Sequence, residues 1–135
     1  MPTKLSPHFT LEEFTISQTA ARQGLNNIPS EDIVKVLTNT ANQMEAVRKL
    51  LGVPIHINSG YRSPEVNKAV GGAKNSQHMT GEAVDFIAPG FGSVATIIER
   101  IKSSGLVFDQ LIDEYGSWVH ISFSDKPRKQ VLVVR

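Results

Sequence analysis

The chain of 135 residues contains no cysteine. That absence removes disulfides, thiolate metal sites and a cysteine nucleophile together. Any metal must therefore be held by histidine, aspartate or glutamate. Histidine is itself scarce, at four residues: His8, His56, His78 and His120. No stretch is apolar and long enough to span a bilayer, and the N-terminal MPTKLSPHFTLEEF lacks the apolar centre of a signal peptide. The expectation is a protein made in the cytoplasm without a signal peptide, with no membrane insertion, that reaches any outside target by another route. An excess of either charge is lacking too. Lys and Arg number 14 against 13 Asp and Glu, a formal net charge of +1, which gives no electrostatic case for nucleic acid or an anionic membrane. Basic residues gather only near the end, in KPRKQVLVVR, around a strand-like run. With no repeat and no low-complexity tract, the length suits one domain over residues 1–135. Monomer is the default.

What is present reads first as helices. TLEEF opens with Thr10 and places Glu13 three residues on, a capping box before a short helix. Ser17 caps a second short helix that ends at Gly24. Ser30 caps a long one that runs to about Leu51 and stops at Gly52. Along it Ile33, Leu37, Ala41, Met44, Val47 and Leu51 recur at three- and four-residue steps, one apolar face turned to a core. Then the period changes. VPIHIN reads as a strand, SGYR as a loop, and SPEVNKAV as a short helix with Ser63 as cap and Pro64 in its first turn. A glycine-framed loop, GGAKNSQHMTG, leads into the strand EAVDFIA, and Ser93 to Ser104 forms a second amphipathic helix. FDQLIDE, the turn YGS and WVHISF read as a β-hairpin. The fold class is α+β, with N-terminal helices packed on a central antiparallel sheet.

SQHMTGEAVDF sets His78 and Asp85 on either side of Gly81, at the start of an apolar strand. By period-two alternation Asp85 shares a face with Ala83 and Ile87, and His120 shares one with Trp118 and Ser122. If these strands are neighbours their polar side chains converge, and His78 can fold back over them. Gly81 would let the loop take a backbone shape closed to other residues. Two imidazoles and a carboxylate suit Zn²⁺, and three protein ligands leave a fourth position open, as in catalytic sites. The same spacing also suits a surface hydrogen bond or a satisfied buried histidine. Spacing alone leaves these readings open.

Ser76, His78, Gly81, Ala83 and Asp85 spell S-x-H-x-x-G-x-A-x-D, WVHIS follows, and SGYRSPEVN precedes. Together these resemble the zinc D-alanyl-D-alanine carboxypeptidase and endopeptidase family M15, most closely its phage-endolysin and bacterial carboxypeptidase branch. The resemblance runs from about Phe9 to Phe123. It implies a hedgehog/DD-peptidase-like fold, zinc on His78, Asp85 and His120, and peptidoglycan stem peptides as substrate. It also implies that Arg62 meets the substrate's carboxylate or polarised carbonyl and that Ser76 binds substrate. A guanidinium grips a carboxylate through two parallel hydrogen bonds, which lysine cannot do. The bland readings are a surface salt bridge for Arg62 and a loop-capping hydroxyl for Ser76.

The chain departs from part of that family at the general base. Several members carry an acidic residue three positions before the last histidine, where this chain has Ser117. Glu114, on the other arm of the hairpin, has the parity of His120 and is the expected base. Asp113 should point away, and Asp109 is a more distant candidate. His56 reads as exposed or supporting and His8 as surface. Trp118 and Tyr61 line a groove or pack in the core. The resemblance implies a zinc peptidase that hydrolyses peptidoglycan stem peptides, as a D-Ala-D-Ala carboxypeptidase or an endolysin-type endopeptidase acting after phage lysis. The alternatives are a virion component that trims the wall and a non-catalytic binding module like the hedgehog signalling domain.

Overall fold

The computed structural model describes residues 3–135. Its first strands, β1 (Lys4–Ser6) and β2 (Phe9–Thr10), pair antiparallel. They are too short to show any alternation in the sequence. Helix α1 (Leu11–Thr15) starts with the expected capping box: Glu13 N donates to Thr10 Oγ1 at 3.3 Å, and Thr10 N donates to Glu13 Oε1 at 2.9 Å. Ser17 caps α2 (Gln18–Gln23) and Ser30 caps α3 (Glu31–Leu51), each hydroxyl accepting from the backbone three residues on. Leu37, Ala41, Met44, Val47 and Leu51 are buried along α3, as their spacing requires, while Ile33 is only partly so. Each fully buried Leu, Met or Val side chain contributes about 1.5–3 kcal/mol relative to exposure.

The sheet has five strands in the order β3-β4-β6-β5-β7. Strand β3 (His56–Ser59) pairs antiparallel with β4 (Ala83–Ile87), β4 with β6 (Trp118–Ser122), and β6 with β5 (Gln110–Glu114). The last strand, β7 (Gln130–Val134), runs parallel to β5. The sheet is therefore mixed, and the expectation of an antiparallel sheet is corrected at this edge. The reason is steric. Both sides of β6 are already taken, by β4 and β5, so the chain leaving β6 steps over to the free side of β5. Arriving there after one reversal, it runs with β5 rather than against it.

Val84, Phe86, Leu111, Val119 and Ile121 share one face of the sheet and join the same buried cluster as the apolar face of α3. Helix α5 (Val94–Lys102) lies against β5 and β6 and also touches α3. The opposite parity carries the polar residues. In register, Asp85 stands directly across from His120, and His120 directly across from Ile112. The apolar face is anchored, so the polar face is held rigidly for whatever it binds.

Candidate metal centre

Two adjacent strands supply Asp85 and His120, and the loop between α4 (Pro64–Ala69) and β4 supplies His78. The loop is pinned from several sides. Gly81 takes φ +83°, a region other residues resist, and its carbonyl accepts from Thr40 Oγ1 of α3 at 2.7 Å. Gln77 O accepts from Glu82 N at 3.0 Å, and Arg62 N donates to His78 O at 3.0 Å. Ser76 Oγ accepts from His78 N at 3.2 Å, so this hydroxyl caps the loop while also lining the cleft described below.

His78, Asp85 and His120 are all buried, and one ligand atom from each lies within 4.8 Å of the others. Among the described residues this is the one such cluster. His120 Nδ1 is 2.9 Å from Asp85 Oδ1, and His78 Nε2 is 3.3 Å from the same oxygen. Donors about 2.0–2.1 Å from a tetrahedral metal stand roughly 3.3–3.4 Å apart. The side chains thus already hold nearly the separations such an ion needs, and imidazole with carboxylate is a donor set that suits Zn²⁺. Burial works against a charge on Asp85, but its contacts with His120 and His78 outweigh it. They hold its carboxyl well below the usual carboxylate range.

A backbone group that no motif singles out orients His78. Its Nδ1–H donates to Gly60 O at 2.7 Å, which fixes the tautomer and leaves Nε2 as the atom facing Asp85. A side chain at position 60 is excluded: a Cβ there would sit 2.7 Å from Phe14 O and 2.8 Å from Phe14 Cα. Gly60→Ala is expected to cost about 1–3 kcal/mol through forced backbone displacement. By moving the carbonyl it should also weaken metal binding by about 10–100-fold. A thermal melt and a zinc titration check both effects; unchanged metal affinity would show that this carbonyl does not govern His78.

The cluster opens into a cleft of about 590 Å³ whose walls include Arg62, Ser76, Glu114, Trp118 and Arg128. Arg62 leans over the cluster on three long contacts, each at 3.4 Å: Nη2 to Asp85 Oδ2, Nη1 to Asn67 Oδ1 and Nε to Ser59 Oγ. Contacts at that length are weak, so the guanidinium is placed but not consumed. Arg62 also borders a neighbouring cavity of about 500 Å³ that contains His56 and Tyr61. The ring of Trp118 stacks edge-on with Tyr115 at 5.8 Å, and its buried Nε1 has no partner among the described residues.

Glu114 faces the cluster across the hairpin, with Oε1 3.6 Å from His120 Nδ1. Burial, with the charge of Asp85 added, raises its pKa against the opposing pull of His120, His78 and Arg62. The other carboxylates are occupied. Asp113 Oδ1 accepts from Gly116 N at 2.9 Å and builds the turn, which has positive φ at Tyr115 and Gly116. Asp109, the more distant candidate base, is corrected: its oxygens take four hydrogen bonds, three from Arg128 and one from Gln77. Ser117 is exposed and donates to Tyr115 O at 3.3 Å. His56 is exposed on β3 and His8 pairs with Glu45 at 2.7 Å, so neither joins the cluster.

A family model described as Peptidase M15 matches residues 7–122. A zinc D-Ala-D-Ala carboxypeptidase of Streptomyces albus G is 44% identical over 54 residues, covering 39% of this chain and 21% of that protein. The chain thus matches about a fifth of that relative's length.

Proposed function

The chain belongs to the peptidase M15 family, and from that premise we propose that it is a zinc-dependent peptidase hydrolysing peptidoglycan stem peptides. The observation that carries the reading is the convergence of His78, Asp85 and His120 within 4.8 Å, beside a cleft that also presents Glu114 and Arg62. His78 Nε2, an Asp85 oxygen and His120 Nδ1 would hold the ion. Zinc bound there supplies Lewis acidity toward a carbonyl and toward water.

The chain's own groups do the rest. Glu114 takes a proton from the attacking water and returns it to the leaving amine, work that its raised pKa suits. Arg62 pairs with a substrate carboxylate or steadies negative charge developing on the scissile carbonyl. Ser76 and Trp118 flank the path of the peptide. Gly60 O keeps the imidazole of His78 aimed into the cluster. Carboxypeptidase and endopeptidase reactions share this chemistry, and both find their substrate in the cell wall. The protein would act there after release at lysis or as part of a virion.

Digestion of purified peptidoglycan, with and without a zinc chelator and read by mass spectrometry, tests the proposal. Fragments that vanish on chelation are expected, and their masses name the bond. If a folded, zinc-loaded protein releases nothing from either Gram-negative or Gram-positive walls, the peptidase reading falls. A binding module of the same fold would then take its place.

A further inference from the structure

Arg128 lies in the basic run KPRKQVLVVR, between β6 and β7, and it borders the same cleft as His78, His120 and Glu114. It is unusually well held for a residue whose side chain is 56% exposed. Its backbone N and Nε donate to Asp109 Oδ1, each at 2.9 Å, and Nη2 donates to Oδ2 at 2.7 Å. Asp109 is only 2% exposed, and its Oδ2 also accepts from Gln77 Nε2 at 2.9 Å. One buried carboxylate therefore ties Arg128 to the residue beside His78.

The grip uses only one edge of the guanidinium. Nε and Nη2 face Asp109, while Nη1 has no partner among the described residues and the outer N–H of Nη2 points away with it. Arginine carries five N–H donors in a flat fork, so its free end can take a second carboxylate through two parallel bonds. Lysine at this position would have a single nitrogen for both tasks. An ordinary surface arginine loses much rotamer freedom when it binds a ligand. Here the buried Asp109 has already removed that freedom, which favours binding.

Resting on the peptidase reading above, we infer that Arg128 is a second carboxylate anchor of the cleft, positioned by Asp109. It makes the chain select stem peptides that bear a free internal carboxylate, distinct from a C-terminal one at Arg62. Asp109 acts through Arg128 and touches no substrate.

The test uses the full chain loaded with zinc and one synthetic stem peptide in two forms, its internal carboxylates free or amidated. Calorimetric titration gives affinity for each form, and hydrolysis is followed in parallel. The wild type should favour the free acid by about tenfold or more, the scale of a charge-assisted hydrogen bond. Arg128→Gln should bring the acid-to-amide ratio close to one, and Arg128→Lys should retain only part of it. The double variant Asp109→Asn with Arg128→Gln removes both charges together and should match the single variant. Because the ratio is taken within each protein, loss of folded material cancels from it. Acid preference in binding without hydrolysis would overturn the peptidase reading and leave the anchor standing. Hydrolysis with the same ratio in wild type and Arg128→Gln would overturn the anchor and leave the peptidase standing. Equal binding of both forms by the wild type, or binding of neither, also overturns the anchor.

Discussion

Replacing His78 or His120 by alanine is expected to abolish both stoichiometric zinc binding and hydrolysis, with activity down by about a thousandfold or more. Without cysteine, donors come only from histidine and carboxylates, and one cluster among the described residues brings three of them together. Two remaining ligands cannot fix an ion in an open three-ligand site. Asp85→Asn should be nearly as severe. Asparagine keeps the shape, but the charge that draws both imidazoles and Arg62 is gone. Each variant should still fold, because the buried apolar cluster occupies the other face of the sheet. Metal content by atomic emission, read beside circular dichroism and fragment release, separates loss of metal from loss of fold. A folded His120→Ala protein that keeps one zinc and full turnover would mean the ion sits elsewhere.

That cluster was legible in the sequence for a definite reason. Helix α3 announces itself through Ser30, its apolar period and Gly52. The parity of Asp85 and His120 on two strands decides which side chains face together once those strands are adjacent. Local rules carried the helix and the shared face, whereas spacing alone left the metal reading open until the resemblance was added. The resemblance added roles for Arg62 and Ser76 that spacing could not supply. What stayed hidden depends on long-range pairing or on the backbone. β7 joins the sheet parallel to β5 because β6 has no free side, a consequence of topology and not of the residues Gln130–Val134. The support for His78 comes from the carbonyl of Gly60, a group every residue possesses. The partnership of Asp109 with Arg128 spans 19 residues of sequence, so neither residue signals the other.

Glu114→Gln should leave zinc bound and lower kcat by about 10²–10⁴-fold, the usual contribution of a positioned acid–base group. The substitution keeps volume and hydrogen bonding but removes the proton acceptor. Serine at position 117 does not leave the cleft without a carboxylate. Ser117 is exposed in the turn with its hydroxyl directed to Tyr115 O, whereas Glu114, on the opposite arm, stands across from Trp118 on the cleft face. The hairpin thus offers a carboxylate to the cleft from its other strand. Asp113→Asn is the informative contrast. That carboxylate serves the turn through Gly116 N, so its loss should reduce stability while kcat changes by no more than a few fold. Comparing kcat, zinc content and melting temperature across the two variants gives a clear division. A turnover defect confined to Glu114→Gln assigns the proton transfer to that residue. A defect that follows Asp113→Asn, with Glu114→Gln fully active, would move the base to the other face of β5 and require the hairpin to rearrange when substrate binds.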